Sequence, residues 1–98
     1  MGKRSRDYHT SLIEDLKNPT EAAAYLEVAL DEGSNEEFLL ALRNVAEARG
    51  ISKISKESSL NRESLYKMLS SKGNPQLSSL VALLKSMGLR LSVHEISH

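Results

Sequence analysis

Ninety-eight residues carry thirteen Lys and Arg against thirteen Asp and Glu, so the formal charge is zero. That length accommodates one compact domain rather than two, and 40% hydrophobic with 27% charged residues excludes a chain too polar to fold. The absence of cysteine excludes a disulfide framework and suits a cytoplasmic protein, and no apolar run approaches the ~20 residues of a membrane-spanning helix.

Residues 1–18 read as an N-terminal arm with a short helix. Its basic start (Lys3, Arg4, Arg6) has no apolar stretch behind it to make a secretory signal, and the stripe Leu12, Ile13, Leu16 marks the helix. Asn18-Pro19-Thr20-Glu21 then has the grammar of a helix start: Asn as N-cap, Pro at the first helical position, Glu three residues after the cap. That helix carries Ala22, Leu26, Ala29 and Leu30 on one face and stops near Gly33. Ser34-Asn35-Glu36-Glu37 is a second capping box, opening a helix with Phe38, Leu39, Leu42, Val45 and Ala46 inward and Gly50 at its end. Tyr25 is expected to pack on Phe38 or the next helix.

Beyond Gly50 the elements shorten. Ser52 is placed to cap a two-turn helix with Ile54 inward, and a break falls around Ser58-Ser59-Leu60. Asn61 caps a helix from Arg62 to about Ser70, with Leu65, Met68 and Leu69 on its apolar side. Lys72-Gly73-Asn74-Pro75 is a loop by composition. Leu77, Leu80, Val81, Leu84 and Met87 predict an amphipathic helix ended by Gly88. Residues 90–96 alternate apolar and polar as a half-buried strand does, with Leu91, Val93 and Ile96 as its apolar members. One strand in a helical domain has nothing to pair with, so it predicts a strand from another chain, most simply a homodimer mate.

The neutral total conceals two blocks. Residues 19–48 hold seven acids (Glu21, Glu27, Asp31, Glu32, Glu36, Glu37, Glu47) and one base (Arg43), a net of −6. Residues 49–90 hold eight bases (Arg49, Lys53, Lys56, Arg62, Lys67, Lys72, Lys85, Arg90) and two acids (Glu57, Glu63), a net of +6. Such asymmetry points to interaction surfaces, although glutamates loading helix starts produce part of the acidic block.

Residues 52–70 concentrate the functional signal. Two short helices, a tight break and small Ser55 at their crossing fit a helix-turn-helix, and also an ordinary helical hairpin with a charged face. In the first case the second helix lies in the DNA major groove and presents Arg62, Glu63, Tyr66 and Lys67. Arg matches guanine O6 and N7, and Glu accepts from cytosine N4. Tyr66 either faces DNA or packs over the helix. Lys53 and Lys56 on the first helix, with Lys72 and Asn74 in the loop, are placed for phosphates.

Residues 50–93, GISKISKESSLNRESLYKMLSSKGNPQLSSLVALLKSMGLRLSV, resemble lambda-repressor-like helix-turn-helix domains. More narrowly they resemble the addiction-module antidotes, close to the host-inhibition-of-growth antitoxins, and NPTEAAAYLEVALDEG followed by EEFLLALRNVAEARG fits the same family. The resemblance spans about residues 18–94. It implies an all-α, lambda-repressor-like domain over residues 19–98, of five or six helices with one C-terminal β-strand. It further implies a dimeric DNA-binding antitoxin, partnered by a RelE/ParE-like toxin and able to repress its own operon. By that resemblance Arg62, Glu63, Tyr66 and Lys67 face bases, and Ser64 with Lys53 lies near phosphate. The family's turn usually carries Gly where this chain has Ser59, and its first helix often starts with Gln where this chain has Lys53. The acidic block complements a basic toxin, or is simply a solvated face. A prophage-type regulator without a toxin and a protein-only helical adaptor are the alternatives.

His94-Glu95-Ile96-Ser97-His98 matches the zinc-hydrolase pattern H-E-x-x-H. That chemistry needs a helix and a further ligand downstream, whereas the motif here follows a strand pattern. No metal, cofactor or catalytic residue is therefore expected. No nucleophile motif accompanies the serines, and one Phe and three Tyr are too few for a base-stacking platform.

Overall fold

Helix starts are set by side chains that satisfy otherwise unpaired backbone N–H groups. In the computed structural model, which describes residues 4–70 and 72–96, α1 (Arg4–Asp15) precedes α2 (Pro19–Glu32). Asn18 Oδ1 opens α2 by accepting from the Thr20 and Glu21 N–H groups at 2.8 and 3.4 Å, with Pro19 at the first helical position. A full capping box starts α3 (Asn35–Arg49): Ser34 Oγ accepts from Glu37 N at 3.2 Å, and Glu37 Oε1 accepts from Ser34 N at 2.8 Å. Then come α4 (Ile51–Ser58), α5 (Arg62–Met68) and α6 (Leu77–Ser86). The described residues are all-helical, in six helices with no strand.

One apolar core joins these helices. Leu42 and Val45 of α3, Ile54 of α4, Leu65 of α5 and Leu83 of α6 are fully buried, each stabilising the fold by about 1.5–3 kcal/mol. Leu16, just after α1, and Leu26 of α2 close the core on the other side. α3 is the spine, packing against α1, α2 and α4, while α6 packs on α4. Tyr25 sits between α2 and α3 and its hydroxyl accepts from Asn44 Nδ2 at 2.9 Å. His9 of α1 lies 3.4 Å from the Glu47 carboxylate of α3.

The end of α6 is a Schellman turn. Leu89 N–H donates to the Leu84 carbonyl and Gly88 N–H to the Lys85 carbonyl, at 2.8 and 3.0 Å, around Gly88 at φ 76°. Arg49 Nη2 donates to the Met87 carbonyl at 2.9 Å, tying the end of α3 to the end of α6.

Four expectations need correction. Ser52 caps nothing, because α4 begins one residue earlier behind Gly50 and has no side-chain cap. Leu30 is exposed, since Ala22 and Leu26 are the buried positions of α2 and Leu30, a turn further on, faces an open hollow beside the segment after α6. Leu77 is likewise exposed at the first turn of α6, and Leu83 takes the central place in that helix. Residues 90–96 form no strand: alternation supplies a face, but a ladder needs a second strand and the single chain offers none. Val93 is 97% exposed, and Leu91 and Ile96 are exposed as well.

Candidate nucleic-acid interface

α4 and α5 have eight and seven residues, too short to be stable alone, so what positions them is local polar bonding on a shared apolar seam. Ile54 and Leu65 anchor the seam, with Ile51 and Leu60 packed at its margin. Between the helices lie only Ser59, Leu60 and Asn61. Ser55 Oγ donates to the Leu60 carbonyl at 2.7 Å. Ser58 Oγ donates to the Ile54 carbonyl at 2.6 Å and accepts from Leu60 N–H at 3.2 Å. These serines satisfy the backbone of the turn without a longer loop. Ser59 takes φ 64° and ψ 14°, the left-handed region that favours glycine. It is the one described non-glycine residue with positive φ, and it stands where the sequence departs from its resembled family.

Asn61 Oδ1 accepts from Ser64 N–H at 2.7 Å and starts α5, as its sequence signature predicts. Inward, α5 shows Leu65 and Met68; outward it shows Arg62, Glu63, Ser64, Tyr66 and Lys67, all exposed. Tyr66 is 56% exposed, so it does not cover the helix as a packing residue would. Lys53 and Lys56 are exposed on α4, and Lys72 and Asn74 in the loop after α5. Gly73 holds that loop against the end of α5, where a Cβ would collide with the Met68 carbonyl and approach Ser70 O to 3.0 Å. The α4–α5 pair and its loop thus present Lys53, Lys56, Arg62, Lys67 and Lys72 with no carboxylate among the described residues paired to any of them. The ion pair among the described residues is Lys17–Glu14, and the His9–Glu47 contact likewise lies in the first half of the chain.

Sequence reasoning missed one contact. The Arg62 guanidinium donates to Ser52 Oγ across the two helices. Ser52 on α4 is thus a hydrogen-bond partner of Arg62 at the start of α5. Ten residues separate the two, and nothing in the local pattern signals the bond.

The remaining candidates do not assemble into a site. Leu91, Val93 and Ile96 lie on the non-helical segment after α6, outside the basic α4–α5 pair and its loop. Along an extended chain Leu91 and Val93 share a side and Ile96 takes the other. His94 and Glu95 are exposed on that same non-helical segment, and His98 lies outside the described residues. The described residues contain no cluster of His, Asp and Glu able to hold a metal ion, and no helix long and apolar enough to cross a membrane.

Comparison with known proteins bears on almost the whole chain. No solved structure matches it. An uncharacterized protein of Haemophilus influenzae is 33% identical over 95 residues, covering 97% of this chain and 96% of that protein. The family described as probable addiction module antidote protein matches residues 8–95, taking in all of α2 to α6 and the segment after them. The chain belongs to the probable addiction module antidote family.

Proposed function

We propose that this chain is the antitoxin of a type II toxin–antitoxin module. It binds operator DNA through a lambda-repressor-like helix-turn-helix made by α4 and α5, neutralises a RelE/ParE-like toxin and represses its own operon. The observation that carries the DNA-binding half is the exposed, unpaired set of cations on two helices locked by a three-residue turn. Family membership supports the toxin half. In this reading Arg62, Glu63, Tyr66 and Lys67 meet base edges, with Ser52 steadying the Arg62 guanidinium. Lys53, Lys56, Ser64, Lys72 and Asn74 meet phosphates and set the register. In this reading the chain acts by binding rather than by catalysis.

Operators read by such pairs of helices are commonly two-fold, which calls for a dimer. The exposed segment carrying Leu91, Val93 and Ile96 is the proposed dimer strand, pairing with its copy and gaining the ladder that one chain lacks.

The test is binding to a labelled duplex from upstream of the protein's own gene, titrated at several salt concentrations. Affinity should fall steeply with salt. Arg62→Ala should cost about 1–3 kcal/mol on that duplex and less on random sequence, while Lys53→Ala should weaken both and flatten the salt slope by about one unit. No binding at micromolar protein, or equal losses on both duplexes for Arg62→Ala, contradicts the reading.

A further inference from the structure

α1, α2 and α3 enclose a surface groove of about 720 Å³ on the acidic half of the molecule. Around the buried Leu16 and Ala41 its walls carry exposed apolar side chains: Ala24 and Val28 from α2 and Leu40 from α3, with Val28 and Leu40 each 55% exposed. Its rim carries Asp15, Glu21, Glu32 and Glu37, and no Lys, Arg or His lines it. Along α2 the lining positions Glu21, Tyr25, Val28 and Glu32 form one helical stripe spanning about 16 Å, three turns of a partner helix. A second, smaller hollow shares Leu40 and Glu37 with the groove and is lined also by Glu36, Arg43 and Leu69, so a cation enters the lining only beyond the groove itself.

We infer that this groove is the toxin-docking site, and that its occupant is a basic amphipathic helix of the toxin. The inference rests on the antitoxin reading above and specifies where and by what chemistry the partner is held. Apolar side chains at i, i+3, i+4 and i+7 of such a helix pack on the exposed Val28 and Leu40. Lys and Arg on its flanks meet the rim carboxylates, an arrangement that chiefly raises the association rate and excludes other partners. Nucleic acid is repelled by the same rim. Two acids of the block are separate: Glu27 and Asp31 line the opposite side of α2, toward the segment after α6. Charge alone therefore does not define the site.

The experiment is calorimetric titration of the full chain with the protein encoded by the gene adjoining its own, the candidate toxin, alongside sedimentation of the chain alone. Val28→Glu with Leu40→Glu changes two exposed positions, and a thermal melt checks that the variant is folded. It should weaken toxin binding at least ~30-fold and leave affinity for the upstream duplex within about twofold. Glu21→Lys with Glu32→Lys should slow association roughly tenfold at low salt. Glu27→Lys with Asp31→Lys, an equal change in net charge off the groove, should stay within about twofold. If the unaltered chain does not bind the toxin, the antitoxin reading falls and the groove assignment with it. If the unaltered chain binds and the folded Val28→Glu, Leu40→Glu variant binds equally well, only the groove assignment is overturned. A self-associated chain that this variant converts to monomer would also overturn it, because the occupant would then be a second copy.

Discussion

The pair α2–α3 and the pair α4–α5 share one core yet differ in nearly every other respect. α2 and α3 are fourteen and fifteen residues long, each started by a side-chain cap, and present a mostly acidic exterior. α4 and α5 are half that length, and α4 has no side-chain cap. Serine-to-backbone bonds and a left-handed Ser59 hold them together, under a basic exterior. The first pair is close to the length at which a helix begins to sustain itself, whereas the second is below it and relies on the first for a surface to fold on. What this teaches is a division of labour within a small protein. The long pair supplies the platform, and the short pair is free to carry a strained turn and unpaired cations.

The dependence can be broken first at the shared core. Ile54→Ala or Leu65→Ala removes a fully buried side chain and should cost about 2–5 kcal/mol. Helix content and a fluorescent probe on α5 should unfold together in urea; loss of α5 alone would mean that the two pairs are separate cooperative units. Gly73→Ala forces a Cβ onto the Met68 carbonyl and should cost about 1–3 kcal/mol in the same assay. The caps sharpen the contrast. Ser34→Ala and Asn61→Ala each remove one N-cap at a cost of about 0.5–2 kcal/mol. Asn61→Ala should weaken DNA binding beyond its effect on stability, because it starts the helix that presents Arg62, and Ser34→Ala should not. Smallest and opposite in sign, Ser59→Gly should stabilise by about 0.5–1 kcal/mol, the relief at φ 64° partly offset by added chain entropy. An unchanged urea midpoint would show that the turn carries no strain.

Much of this was legible in the chain wherever the cause is local. Asn18, Ser34 and Asn61 each cap the helix their spacing predicts, because a cap and its backbone partner lie within three residues. The glycine-favouring turn position at Ser59 was legible from resemblance, and the physical consequence is a positive φ. Illegible features depend on distant geometry. Apolar periodicity marks a face without saying how far a neighbour covers it, so Leu30 and Leu77 were expected inside and lie outside. Ser52 looked like a cap and instead receives Arg62 from the next helix. The alternating segment at 90–96 has the pattern of a strand, but pairing is a property of two strands and not of one. The groove between α1, α2 and α3 joins residues from Leu12 to Ala41, a juxtaposition that the acidic count alone does not contain.

The division between the two halves can be read residue by residue. The ¹⁵N-labelled chain, titrated with a duplex from upstream of its own gene, should show amide shifts confined to residues 52–74. They should be largest around Asn61–Lys67, with α2 and α3 unperturbed. Shifts centred on residues 19–48, or no shifts at saturating duplex, would contradict the assignment of DNA to the short basic pair.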